Sequence, residues 1–406
     1  MDSTKNMEKL LHYTWRHKIF PLEALLTTDG KTVEVVDTGL YNRTDSGPDF
    51  FNAKIKIDGI LWVGNVEIHT NASDWFHHKH DNDSAYNNVI LHVVENADST
   101  VTTADGIAIP TLVIPIAKEL RDNYAELLNS EKYPPCYKII EDLPHLKVHA
   151  WLSALQTERL ERKTRDIEER VKRMNGSWED AYFATLARNH GYGVNSEAFE
   201  EWAKTVPLSA VSHHRDDLFQ IEALFLGQAG LLDHVEPKYA QEYSFLQKKF
   251  HLTPMDPSRW KYKTRPQNHP HVRLQQLAQM YHEHKTGLRD MLACKNTKDI
   301  SNLYDFHGDK VTLFTINTVV PMMFAYGRHH AKDELCDRAL DILESLPAED
   351  NNIVRMWQEC GLEVRTAYDS QSLLQLKKEY CDKKECLRCR FGYEFLQGEY
   401  KNSFFK

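Results

Sequence analysis

The chain has 406 residues, 41% hydrophobic and 27% charged, the balance of a globular protein long enough for two domains. A formal charge of -9 argues against coating nucleic acid by bulk electrostatics, while leaving room for an enzyme whose basic groups act locally. No run approaches the ~18 apolar residues of a membrane span and the N-terminus lacks a secretory apolar core, so a cytoplasmic protein with no membrane partner is expected.

Residues 7–20 carry Met7, Leu10, Leu11, Trp15 and Ile19 at helical spacing, a face suited to covering a sheet. Residues 32–37 read as a strand, and residues 38–48 as a polar loop delivering Asp49. Asp58-Gly59 then separates two alternating runs, residues 51–57 and 60–69, a strong hairpin signal. Matching the apolar face of Phe51, Ala53, Ile55 and Ile57 to that of Leu61 and Val63 sets Asp49 opposite Glu67, with His69 beside it. That register needs an extra residue, and Gly59 in a bulged turn is the expected place for it. Two carboxylates at the open end of a hairpin suit a hard divalent cation, magnesium or manganese first.

Residues 70–88 form a polar segment anchored by Trp75 and dense in His77, His78, His80 and Asp83. Residues 89–94, with His92, read as a buried strand, and residues 111–116 as another. If the polar segment folds over the hairpin, His69, His78, His80 and His92 converge, which shifts the metal preference toward zinc, manganese or iron. An α+β domain over residues 1–135 is expected, followed by a larger, mostly helical domain over residues 136–406 that begins with the long amphipathic pattern 148–173. No fixed-period repeat is visible, so an irregular helical domain is expected rather than a solenoid. The Glu/Arg-rich stretch 158–173 reads as a solvated face.

In residues 258–273, Arg259, Lys261, Lys263, Arg265 and Arg273 interleave with Trp260 and Tyr262, a composition suited to a nucleic-acid single strand. Seven cysteines are not a secreted disulfide framework. Cys381, Cys386 and Cys389 in CDKKECLRC have metal-cluster spacing, zinc or iron–sulfur, with Cys360 or Cys136 as the fourth ligand.

Gly47-Pro48-Asp49, 17 intervening residues and Glu67-Ile68-His69 together resemble the PD-(D/E)XK nuclease signature, with histidine where lysine usually stands. The block 47–94, with GQAGLL at 227–232, INTVVP at 316–321 and the cysteine-rich tail, is similar to a bacterial family known only as a domain of unknown function. His78 and His80 match positions in that block. The resemblance implies a nuclease-like mixed sheet flanked by helices, with Asp49 and Glu67 on the cation, the Ile68 carbonyl assisting and His69 orienting or deprotonating water. The first helix of many such nucleases supplies an extra acid, for which Glu8 or Glu23 is the candidate here, with a solvated carboxylate the leading expectation for either. The tail looks like that of RecB-type nucleases with an iron–sulfur cluster, although there the fourth cysteine precedes the core and here none precedes Asp49. The leading expectation is a metal-dependent nuclease, DNA ahead of RNA as partner. A non-catalytic nucleic-acid-binding or assembly module and a histidine-ligated hydrolase of another class are the alternatives, and the oligomeric state is left open.

Overall fold

The computed structural model describes residues 3–22, 24–43, 46–191 and 193–398. Two units are present: Met1–Asp142 with Glu379–Lys406, and Leu143–Lys378. The first holds a mixed sheet with flanking helices and the second is helical, so the chain is α/β overall. No helix among the described residues is long and apolar enough to cross a membrane.

The sheet of the first unit has seven strands: β1 (Leu25–Leu26), β2 (Thr32–Asp37), β3 (Leu40–Tyr41), β4 (Phe50–Ile57), β5 (Ile60–Asn71), β6 (Val89–Asn96) and β7 (Thr111–Val113). Their order is β1-β2-β4-β5-β6-β7, with β3 also on β4. β4 meets β2 and β5 antiparallel, whereas β5, β6 and β7 run parallel. A parallel neighbour requires a crossover, and the one joining β5 to β6 is the histidine-rich segment.

Asp58 (φ 48°) and Gly59 (φ 77°) both adopt the left-handed region, so the hairpin closes through a tight two-residue turn that pairs Ile57 with Ile60. Strict pairing from there would set Asp49 one residue out of step with Glu67. β4 recovers the step by a bulge between Phe50 and Ala53, where Asn52 has φ 56°, and Phe50 then pairs with Val66. The extra residue expected at Gly59 therefore sits at Asn52, because Asp-Gly already satisfies the two-residue turn and asparagine tolerates the left-handed conformation. Leu61 and Val63, expected to face the core, are 53% and 59% exposed. Burial on β5 begins at Val66 and Ile68, so the inner half of the hairpin sets the register.

Helix α1 (Ser3–Arg16) buries Leu10, Leu11 and Trp15 and packs on β5. Trp15 Nε1 donates to the Thr38 carbonyl at 3.1 Å and so fixes the loop that leads to Asp49. Short helix α2 (Asp74–His77) opens the crossover. After the sheet come α3 (Lys118–Asn129) and α4 (Tyr137–Ile140), on which the C-terminal helix Arg390–Gln397 packs with Phe391, Phe395 and Leu396 buried.

The second unit starts with α5 (His145–Arg173), which buries Trp151, Leu152, Leu155, Leu160 and Ile167. Its charged side is partly buried rather than the solvated face that its composition predicts. Arg159 is buried and donates to the Ile316 carbonyl at 3.2 Å, and Arg170 is buried with its Nε 3.2 Å from Glu200 Oε1. The GQAGLL block is a packing device. A Cβ at Gly227 would lie 2.1 Å from the Tyr243 ring, and buried Gln228 accepts from the Tyr243 hydroxyl while donating to the Thr205 carbonyl. In the INTVVP block a wide π-turn, Thr315–Val319, precedes Pro321, and its Ile316 carbonyl is the acceptor for Arg159.

Candidate functional site

The bulge at Asn52 brings the two carboxylates to one place. The Asp49 backbone N–H donates to Glu67 Oε2 at 3.0 Å, and the Ile68 N–H donates to Asp49 Oδ2 at 2.9 Å. Each acid is thus held by the other's strand. From α1, His12 Nε2 lies 3.3 Å from Asp49 Oδ2.

The crossover folds over this pair. His78 and His80 are two residues apart, a spacing that in a helix points side chains apart. Lys79 between them takes φ 63°, breaking the helical path and turning His80 back toward the strand. His80 Nε2 then lies 3.2 Å from Glu67 Oε1, and His69 Nε2 lies 3.7 Å from that same oxygen. His69 also approaches His78 Nδ1 at 3.1 Å through Nε2 and His92 Nε2 at 2.9 Å through Nδ1. One ligand atom each from His69, His78 and His80 fall within 4.8 Å of one another, a spacing that could hold one metal ion. Trp75, fully buried and anchored through Nε1 to the Thr102 carbonyl at 3.0 Å, sets ring edges against His69, His80 and His92. His77 is exposed and pairs with Asp74, while Asp83 caps the next turn, so neither belongs to the cluster.

Burial, then the neighbouring Asp49, push Glu67 well above the usual carboxylate range. Burial followed by the surrounding imidazoles pulls His69 down. Burial first, then His78 for His80 and His80 for His92, lower both to about 4. Burial also lowers His12, but the Asp49 charge and hydrogen bond outweigh it, and His12 is raised. His69, His80 and His92 are therefore neutral lone-pair donors near pH 7, gathered around the Glu67 carboxyl. His80 Nε2 is buried with no hydrogen-bond partner. A divalent ion among Glu67, His69, His78 and His80 would satisfy that nitrogen and the carboxylate together.

A cleft of about 330 Å³ is lined by Lys9, His12, Tyr13, Arg16, Tyr41, Arg43, Glu385, Leu387 and Arg388. It shares His12 with the carboxylate pair and brings four cations to one acid. Sequence reasoning missed His12 and these cations. The available signal was the spacing of Lys9, His12, Tyr13 and Arg16, which puts them on one face of α1. Glu8, one turn before His12, is half-buried and raised by burial, with His12 and Asp49 close enough to act on it. Glu23 lies outside the described residues.

The basic aromatic segment divides. Trp260 is buried and donates through Nε1 to the Ala229 carbonyl at 2.9 Å, so it is a core residue and not a stacking platform. Arg259 pairs with Glu201 at 2.9 Å, and Tyr262 packs among His234, His269 and His271. Lys261, Lys263 and Arg265 are exposed. Of the cysteines, Cys381, Cys386 and Cys389 line one small cavity with Cys136, whereas Cys360 belongs to the second unit.

A family model described as "Protein of unknown function (DUF2851)" matches residues 8–310 and 307–352. The match takes in Asp49, Glu67 and the four clustered histidines and stops short of Cys381. No curated protein and no solved structure matches the chain.

Proposed function

The chain belongs to the DUF2851 family, and from the geometry of its site we propose a metal-dependent hydrolase that cleaves phosphodiester bonds in nucleic acid. The observation that carries this reading is the buried His80 Nε2, which makes no hydrogen bond yet lies 3.2 Å from Glu67 Oε1 inside a cluster of ligand-spaced imidazoles. Mixed nitrogen and oxygen donors favour zinc or manganese over magnesium. A bound ion would lower the pKa of its water toward neutrality. Asp49, held by Ile68 N–H and flanked by His12, is the group placed to take up a proton beside it.

The substrate class rests on the neighbouring cleft. Lys9, Arg16, Arg43 and Arg388 suit the charges of a phosphate backbone, and half-buried Tyr41 offers a ring to a base. On the helical unit, exposed Lys261, Lys263 and Arg265 are a separate candidate for phosphate contacts. The nuclease-like signature around Asp49 and Glu67, on an antiparallel hairpin followed by parallel strands, supports a PD-(D/E)XK-like arrangement. His69 occupies the lysine position of that signature. Buried, with both ring nitrogens engaged, it suits an ion better than a phosphate. That departure favours a second reading, a nucleic-acid-binding module without turnover.

The test is a screen of labelled single- and double-stranded DNA and RNA with magnesium, manganese or zinc, with Glu67→Gln alongside. Cleavage by wild type that disappears in the variant while binding persists is the expected result. Binding without cleavage under every metal would transfer the assignment to the binding module, and neither binding nor cleavage would remove both.

A further inference from the structure

We propose that Cys136, Cys381, Cys386 and Cys389 form a second metal site, a zinc tetrathiolate that pins the C-terminal segment onto the first unit. Three of the ligands come from one short stretch and the fourth from a position more than two hundred residues earlier. Cys136 stands at the start of α4. Cys381 closes the turn Lys377–Cys381, Cys386 opens the turn Cys386–Arg388, and Cys389 caps the C-terminal helix. Cys386 and Cys389, two intervening residues apart, form the thiolate pair common in structural zinc sites.

The backbone is already shaped to bring these residues together. Cys389 N–H donates to the Cys386 carbonyl at 3.2 Å, and Lys384, in the left-handed region, lets its N–H reach the Cys381 carbonyl at 3.0 Å. Gly392 rides directly over the turn, where a Cβ would lie 2.1 Å from the Cys386 carbonyl oxygen. The four cysteines share their cavity with Leu127, Pro135, Tyr380 and Gly392, with Tyr133 and Asp382 close to Cys381. Cys136, Cys386 and Cys389 are buried.

At about 10 Å³ the cavity between the cysteines is the room of one water-sized body, enough for a single ion. Among the described residues no three of these sulfurs fall within 4.8 Å of one another, as the three imidazole groups do. Zinc holds each sulfur at about 2.3 Å, so binding draws them inward by side-chain rotation. One consequence rests on the phosphodiester reading above: the same turn carries Leu387 and Arg388 into the wall of the basic cleft, so loss of the ion would also loosen anion binding there.

The experiment is metal analysis of the full chain purified without oxygen, together with thiol alkylation mapped by mass spectrometry with and without a chelator. About one equivalent of zinc is expected at this site, retained in a His78→Ala/His80→Ala variant and lost in Cys136→Ser. In the wild type, alkylation of Cys136, Cys381, Cys386 and Cys389 should become at least tenfold faster once the chelator is present. Cobalt in place of zinc should show sulfur-to-metal charge transfer. Iron with sulfide, zinc undiminished in Cys136→Ser, or alkylation indifferent to the chelator in wild type would each overturn the proposal. The wild-type readouts do not depend on the variants folding.

Discussion

Two buried carboxylates organise the two units, and their surroundings differ in kind. Glu200 in the helical unit is met by Arg188 at 2.8 Å, Arg170 at 3.2 Å and Arg173 at 3.6 Å. Burial raises its pKa, but these guanidinium charges and hydrogen bonds outweigh that effect and lower it, so the group is satisfied as it stands. Glu67 in the sheet unit has a backbone N–H, a second carboxylate and neutral imidazoles around it, and its pKa rises. A saturated ion-pair network is structure, whereas a carboxyl group ringed by lone pairs is, on the proposed reading, a place for a cation.

The largest expected effect separates the two directly. Glu67→Gln keeps the shape and removes the charge, so cleavage should fall by roughly two orders of magnitude or more, measured as single-turnover rate with saturating metal. Glu200→Gln in the same assay should leave the rate per folded molecule unchanged. Conversely, Glu200→Ala leaves buried Arg170 without its carboxylate and should cost about 3–5 kcal/mol in denaturant unfolding of the helical unit. Equal losses of stability from Glu67→Ala and Glu200→Ala in apo protein would erase the distinction.

Acid should act on the two sites in different ranges. His69, His80 and His92 are depressed below 6.5, and for His80 and His92 the folded value is about 4. The unfolded chain therefore binds more protons between those values, and stability falls as pH drops from about 6.5 to about 4. Glu67, raised above 4.5, works in the opposite sense and loses stability as pH rises past that value. His12 and Glu8, also raised, act in the same sense as Glu67 and partly offset the three histidines, whereas bound metal, which needs neutral imidazole, should add to the loss on the acid side. Glu200, lowered, keeps its contribution until pH falls below its ordinary 4.5. Hydrogen exchange at pH 7 and pH 5 should show protection lost along β5 and the histidine-rich crossover, and protection there that does not change with pH would count against the assignment.

The smallest effects concern the cleft. Arg16→Ala and Arg388→Ala should each reduce the log-log salt slope of DNA binding by about 0.7–0.9, the value for one lost phosphate contact. Trp260→Ala should instead destabilise the fold by ~3–5 kcal/mol as a buried aromatic, with the slope unaltered.

Much of the sheet unit was legible because strand chemistry is local. Asp58-Gly59 announced its turn, the β-branched run at β6 announced a buried parallel strand, and matching the faces brought Asp49 to Glu67. The route was wrong in detail, since Leu61 and Val63 are exposed and the bulge lies at Asn52, a feature decided by core packing of Phe50 and Val66. The convergence of His78 and His80 depends on a left-handed Lys79, which no propensity foretells. The interleaved basic and aromatic residues misled because composition does not say which way Trp260 faces, and its indole found the core. Arg388 reaches the cleft across the length of the chain, a long-range contact beyond any local pattern.

Anomalous diffraction from crystals soaked in manganese or zinc tests the central claim most directly. The expected result is a peak at about 2.0–2.2 Å from Glu67 Oε1 and from the ring nitrogens of His69, His78 and His80, lost in Glu67→Gln crystals. A fully soaked crystal with no peak there, or one that persists without Glu67, would contradict it.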